Sequence, residues 1–394
     1  MRPDLSTALR LRKLPPYLFI ELDNLKSAAV KAGRPVIDFG IGDPDTPTPP
    51  AIVAAMARAV RDPGTHRYPL GSGRFEFRAS VAKWYLRRFG VRLDPADEVC
   101  ALIGSKEGIG HFPWAFVNPG ENVLVPDPGY PVYGSSTILC GGRPVAMPLV
   151  RENAFLPDLE GLARRFRRGF RARLMFINYP NNPTGAVAPR GFFRRVVALA
   201  HRYGFIVAHD AAYSEVWYDR ADRPSSFLEV PGARKIGLEF HSLSKTCNMT
   251  GWRIGFAVGN ARLIGGLAKL KGNLDSGAFE AVQRAGITAL AAADACSRRM
   301  NAVYRSRRDM LVDGLRTMAL PAPRPRASFY VWTPLPPGVD SRGYAKWLLR
   351  RLNVLATPGV GFGRHGEGYI RFSLTVPTAS IKEACRRFER ISGR

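Results

Sequence analysis

Lys245 lies in the run Ser242-Leu243-Ser244-Lys245-Thr246, and Gly251-Trp252-Arg253-Ile254-Gly255 follows it. An amine flanked by serines and apolar residues is partly desolvated. Its pKa falls, and the free amine that results forms imines with carbonyl compounds. Arg253 offers a fixed cation for a phosphate. Three further runs have the same character. In Gly104-Ser105-Lys106-Glu107-Gly108, free N–H groups at a helix start make an anion site, and Ser105 and Lys106 add donors. An ordinary strand–helix turn would account for the same residues. In Asn178-Tyr179-Pro180-Asn181-Asn182-Pro183-Thr184-Gly185, Asn182 either aims its amide at a ligand or stiffens a sharp turn. In His209-Asp210-Ala211-Ala212-Tyr213, a carboxylate at the end of an apolar run is costly unless it meets a cation or donors. Asp210 could hold a pyridine nitrogen protonated, with Tyr213 reaching the same ring, or it could cap a helix.

These runs need elements that bring them together. Between residues 98 and 260, short apolar runs alternate with amphipathic stretches. The runs are Glu98–Ile103, Asn122–Val125, Arg143–Met147, Leu174–Asn178, Phe205–His209, Lys235–His241 and Ile254–Val258. The stretch Arg190–Tyr203 between two of them suits a helix. That alternation predicts an α/β fold, a mostly parallel sheet with helices on both faces. Ligands of open α/β sheets bind at the carboxyl ends of the strands, where the four clusters fall. Residues 1–35 read as an arm with a helix around Leu18–Ala32, and Ala51–Val60 and Phe75–Phe89 read as helices. One long helical region is expected from Ala268 to Met318. The stretch Ser328–Arg394 reads strand, helix, strand, strand, helix.

The net charge of +26 comes mostly from arginine, in pairs such as Arg87-Arg88, Arg164-Arg165, Arg194-Arg195 and Arg350-Arg351. A nucleic-acid binder concentrates such charge on one face or tail. Here the pairs spread along helical stretches, so the expectation is a solvated surface and no nucleic-acid partner. Five dispersed cysteines without a CxxC argue against a disulfide framework or a zinc site and favour a reducing, cytoplasmic setting. No signal peptide and no run of membrane-spanning length is expected.

The ordered set Asn-Asn-Pro-Thr-Gly, Asp-x-x-Tyr, Ser-x-Ser-Lys and Gly-x-Arg-x-Gly resembles the class I/II aminotransferases of pyridoxal 5′-phosphate (PLP) fold type I. The resemblance runs in order over nearly the whole chain. It implies a large domain with a mostly parallel seven-stranded sheet flanked by helices. It also implies a smaller α+β domain built from the N-terminal arm and the C-terminal part. The expected division is 1–48, 49–285 and 286–394. By the same resemblance Lys245 carries PLP as an imine, Asp210 partners the pyridine nitrogen, and Tyr213 and Asn182 serve the ring hydroxyl. Ser105, Lys106, Ser242, Ser244 and Arg253 form the phosphate cup. Tyr130 stacks on the ring, and Tyr68 is lent to the phosphate by the partner of a homodimer. Arg371, in Tyr369-Ile370-Arg371-Phe372-Ser373, clamps the substrate α-carboxylate, with Gly42 and Tyr17 nearby.

Within the family, the stretches Gly40-Ile41-Gly42-Asp43-Pro44-Asp45, Val125–Tyr133 and Gly366-Glu367-Gly368-Tyr369 are most similar to LL-diaminopimelate aminotransferases and aspartate-aminotransferase-like relatives. Asn181 stands where some aspartate aminotransferases carry histidine. Asn273, Asp275 and Ser276 fall in a region that often faces the partner's cofactor. The implied reaction is ping-pong transfer of an amino group to 2-oxoglutarate, part of lysine biosynthesis. An aminotransferase of another specificity, or a PLP-dependent lyase or cyclase, could use the same lysine, aspartate and arginine. A PLP-sensing regulator would need a fused DNA-binding domain, for which the arm before Val36 is too short.

Overall fold

The computed structural model describes residues 4–15, 18–69 and 71–392. A two-residue strand, β1 (Ile37–Asp38), leads from the N-terminal arm into the fold. The main sheet follows: β2 (Val99–Leu102), β3 (Asn122–Asp127), β4 (Arg143–Pro148), β5 (Leu174–Asn178), β6 (Ile206–Asp210), β7 (Gly237–Ser242) and β8 (Gly255–Gly259). Their order across the sheet is β2-β8-β7-β6-β5-β3-β4. All neighbours are parallel except those of β8, which runs against both β2 and β7. Every residue of β2, β5, β7 and β8 is buried. That explains the apolar runs of β2, β5 and β8: helices cover both faces, so no face needs polar residues.

The expected helices form, with small shifts. Phe75–Phe89 and Arg190–Tyr203 each end on a glycine in the left-handed region, Gly90 and Gly204. The helix start expected in the run Gly104–Gly108 falls at Ser105. The single long helix expected from Ala268 to Met318 is instead two, Ala261–Leu274 and Glu280–Thr317. Ser276 and Gly277 take φ of +57° and +105° there, which no helix continues through. Asp275 turns back to pair with the buried Lys271. The 38-residue second helix contributes Val282–Cys296 to the apolar core beside the main sheet. Its later residues, Met300–Leu315, enter a separate core.

That separate core surrounds the C-terminal elements: β9 (Tyr330–Pro334), the helix Ser341–Leu352, β10 (Val354–Leu355), β11 (Thr357–Pro358), β12 (Tyr369–Ser373) and the helix Thr378–Ser392. Strands β11-β12-β9 form an antiparallel sheet, and β10 pairs in parallel with β1. The sequence reading of this part missed only one of the short strands. Among the described residues, no helix is long and apolar enough to cross a membrane.

Behind the main sheet lies a buried polar group. Glu239 of β7 accepts from His209 Nδ1 at 2.6 Å, His241 Nε2 at 3.2 Å, Ser226 Oγ at 2.9 Å and the Phe227 amide at 2.6 Å. Tyr85 donates to it as well. Burial would raise the Glu239 pKa, but the two histidines outweigh it and hold the carboxyl far below the usual range. A depressed carboxylate pKa contributes stability that is present above the unfolded value and lost as pH falls through the folded one. Glu239→Gln should therefore cost about 3–5 kcal/mol at neutral pH, because it leaves buried histidines without their acid. Denaturant melts of both proteins at pH 7 check this, and an unchanged midpoint would refute it.

Candidate active site

The sheet order explains why separate runs meet. The carboxyl ends of β2, β3, β5, β6 and β7 open on one edge, because these strands share a direction. Strand β8 is reversed, so its amino end reaches the same edge. Arg253 therefore precedes its strand, while the other site residues follow theirs. The edge opens into a cavity of about 540 Å³. It is lined by Gly42, Ser105, Lys106, Tyr130, Asn182, Asp210, Tyr213, Ser242, Ser244, Lys245, Arg253 and Arg371. Of the described residues assigned to the site from sequence, one is not among its walls. Tyr68 is 91% exposed on the surface. Tyr17 lies outside the described residues.

Ser242 caps a four-residue helical turn, Leu243–Thr246, by accepting from the Ser244 amide at 3.2 Å. The turn aims Lys245 into the cavity, where its Nζ donates to the Gly42 carbonyl at 2.7 Å. Burial pulls the lysine pKa down from 10.5 to about 8. Asp43 opposes that fall, and Arg253 and Arg371 reinforce it. At neutral pH a usable fraction of Lys245 is the free nucleophilic amine.

Asp210 ends β6 fully enclosed, with its pKa raised by burial and lowered in part by Tyr133. Tyr133 donates to its Oδ2 at 2.7 Å, and the Ala212 amide donates to Oδ1 at 3.2 Å. Asn178 joins this end of the sheet together: its amide donates to the Asp210 carbonyl at 2.8 Å, and its Oδ1 accepts from the Asn182 amide at 2.8 Å. Asn182 in turn accepts from Arg371 Nη1 at 2.7 Å.

Arg371, on β12, is 2% exposed. It donates to the Gly40 carbonyl at 2.6 Å and lies over the rings of Tyr330 and Phe362, at 4.2 and 4.6 Å. Tyr330 also meets the Tyr213 hydroxyl at 3.0 Å. Gly42 has to be glycine, because a Cβ there would overlap the Tyr330 hydroxyl. On the opposite wall, Gly104 sits at φ +73° at the start of the helix Ser105–Phe116, and a Cβ there would strike the Arg253 guanidinium. Arg253 itself holds φ +57°, an uncommon value for arginine, and donates to the Thr250 and Ile103 carbonyls.

Asn178, Tyr133 and Tyr330 were not singled out from sequence. Tyr133 lies three residues after Tyr130, in the first turn of the helix Val132–Leu139, and Tyr330 lies near the start of a predicted strand. Neither spacing says what the hydroxyl will reach. Asp275 and its neighbours now have places. Asp275 and Glu107 both pair with Lys271 Nζ, at 3.1 and 2.8 Å, beside His111. These three acid and histidine groups lie close enough to hold a metal, but the lysine ammonium supplies the cation. Asn273 is exposed and bonds the Lys269 carbonyl.

In sum of chemistry, the cavity offers a nucleophilic amine, an enclosed acid, a helix start with serine, lysine and arginine donors, and a buried guanidinium. A model of the aminotransferase class I and II family matches residues 34–388. The chain belongs to that family. It is similar to LL-diaminopimelate aminotransferases of Syntrophobacter fumaroxidans and Desulforudis audaxviator, at 55% and 53% identity. Each of these comparisons covers 98% of both chains. Among solved structures it is similar to substrate-bound BacF of Bacillus subtilis, at 33% identity and a TM-score of 0.93, covering 98% of both chains. As an aminotransferase, this chain moves an amino group from an amino acid to an oxo acid. The fold expected from the sequence, the family's PLP fold type I with its mostly parallel seven-stranded sheet, is the one observed.

Proposed function

We propose that this chain is an LL-diaminopimelate aminotransferase that uses PLP and passes the amino group to 2-oxoglutarate by a ping-pong cycle. The observation that carries the reading is the position of Lys245 in one cavity with Asp210 and Arg371. The similarity over nearly full length to relatives of that name supports the choice of donor.

The residues present fit the cofactor. Ser105, Lys106, Ser242, Ser244 and Arg253 would hold its phosphate, at a helix start that favours anions. Asp210, an enclosed acid that no cationic side chain among the described residues pairs with, would meet the pyridine nitrogen. Tyr213 and Asn182 would serve the ring hydroxyl, and Tyr130 the ring face. When bound, PLP supplies an electron sink for the pair left on the substrate α-carbon. Lys245, a base with a pKa near the working range, would take the substrate α-proton and carry it as the ammonium. Arg371 grips the α-carboxylate in a two-pronged bond and so fixes which Cα bond faces Lys245. Asp210, as a carboxylate, would keep the ring nitrogen protonated.

Two chains are proposed to share the sites. Tyr68 stands 91% exposed, and Phe75 and Leu274 are each 55% exposed. An equivalent copy placed over this surface would bring Tyr68 to a phosphate site.

A panel of donors with 2-oxoglutarate tests the specificity. LL-diaminopimelate should give the highest kcat/KM, above aspartate, glutamate, alanine and an aromatic amino acid. A higher value for any of the others would overturn the donor assignment. If donor alone fails to convert the bound cofactor to its amine form, transamination itself is wrong. A pH prediction follows from the Lys245 amine. Capture of added PLP by cofactor-free protein should speed up with pH and level off above about 8. Stopped-flow absorbance checks it; a rate still rising at pH 10 would mean an ordinary lysine.

A further inference from the structure

The helix Val132–Leu139 places Tyr133 in an unusual position for a tyrosine. Its ring is buried and stacked on Phe176, with centroids 5.0 Å apart and planes 25° apart. Its edge meets Tyr130 at 6.0 Å and 85°. Its hydroxyl donates to Asp210 Oδ2 at 2.7 Å. We propose that Tyr133 is a positioning residue for the cofactor: its hydroxyl holds Asp210 as the charged, correctly turned partner of the ring nitrogen. This rests on the PLP reading above.

The argument is one of alternatives for Asp210. Enclosed as it is, the acid is pushed toward its neutral form. A neutral carboxyl could not keep a pyridine nitrogen protonated. The groups facing Asp210 are few. Tyr213 follows it on the same stretch, and Asn178 of β5 bonds its main-chain carbonyl. His209 and His241 are nearby, but Glu239 engages both of them. That leaves two donors on the carboxylate, the Ala212 amide and the Tyr133 hydroxyl. The amide fixes one oxygen as part of the local turn. Tyr133 reaches the other oxygen from a different element.

A tyrosine suits this task. Burial, with Asp210 next to it, raises its own pKa well above 10, so it donates throughout the working range. A hydroxyl that donates to the carboxylate favours the charged acid over the neutral one. The loop into this short helix and its first turn would then serve the cofactor twice, with Tyr130 on the ring face and Tyr133 behind the acid. A hydrogen bond to a charged, enclosed group is worth enough for about 10- to 100-fold in an equilibrium.

The test is Tyr133→Phe, which keeps the ring and its packing and removes only the donor. Wild type should bind PLP; if it does not, the cofactor reading fails and this inference with it. In the variant, the PLP dissociation constant should rise about 10-fold or more. The ring-nitrogen ¹⁵N resonance of bound labelled PLP should move toward its unprotonated position. kcat should fall while KM for the donor stays within about twofold. With the PLP analogue that carries carbon in place of the ring nitrogen, wild type and variant should bind equally. A purely structural role would lower affinity for both ligands alike and leave the resonance unmoved, and either result overturns the proposal. Should the variant not fold, 3-fluorotyrosine placed at 133 keeps the shape and strengthens the donor. It should move the resonance of bound PLP further toward the protonated position, and no movement would equally overturn the proposal.

Discussion

Lys245→Ala should lose turnover by at least about a thousandfold, together with the visible absorption of lysine-bound PLP. The size follows from what one side chain is asked to do. A positioned base contributes about 10²–10⁴ by itself, and here the same amine is also proposed to anchor the cofactor. The variant should still take up PLP without a covalent bond, because Asp210, Ser105, Ser244 and Arg253 remain. Initial rates with saturating donor and acceptor, measured beside a spectrum, separate the outcomes. Full activity in the variant would remove Lys245 from the reaction. Loss of activity with an unchanged spectrum would leave it as a base and deny it the anchor.

Arg371→Ala should lower kcat/KM for carboxylate donors by about 30- to 4,000-fold while the cofactor stays bound. Truncating one partner of a buried, charged hydrogen-bonded pair costs about 2–5 kcal/mol, which gives that range. The loss should fall mainly on KM if the guanidinium holds substrate and transition state alike, and on kcat to the extent that it also orients the Cα–H bond. Arg371→Lys should recover little. An ammonium cannot reproduce the two-pronged grip, nor the planar stack on Tyr330 at 4.2 Å. Steady-state kinetics with a retained-cofactor check decides the matter. Loss of PLP from the variant would move Arg371 from the substrate to the phosphate.

The site was largely legible in the sequence because its residues are tied to the ends of strands, and strand ends are marked by abrupt changes from apolar runs to Gly, Asn, Asp and Ser. Asp210 and Lys245 could be placed at an edge before any sheet order was known. Arg253 needed more. It precedes the run Ile254–Val258, and only the pairing of β8 with β7 and β2 shows that this strand is reversed and so brings its amino end to the same edge. Tyr133 and Tyr330 were not legible as site residues. The first reaches across β5 to the end of β6, and the second reaches Tyr213 from the separate C-terminal core. Such contacts depend on which strands neighbour each other, and periodicity in one segment carries no record of that. The break between the two helices at 275–279 was missed for a simpler reason. Asp275, Ser276 and Gly277 are polar or small, but so are many residues inside helices. Asp275 closes on Lys271 four residues before it, and Lys271 is in turn held by Glu107 from another helix, a tertiary contact.

The spread of arginine was read as a solvated surface. In the structure, Arg88 pairs with buried Glu215 at 2.9 Å, and Arg307 with Asp45 at 2.7 Å. Part of the positive charge is therefore internal bracing, which residue type and position in the chain did not reveal.

The attachment of PLP to Lys245 is the centre of the account, and borohydride reduction followed by peptide mapping tests it most directly. Reduction fixes the imine as a stable amine, so the cofactor marks whichever lysine held it. The predicted result is one phosphopyridoxyl group per chain, on the peptide that contains Ser242-Leu243-Ser244-Lys245. The label on any other lysine, such as Lys106 or Lys271, or no label on a chain that retains transaminase activity, would contradict it.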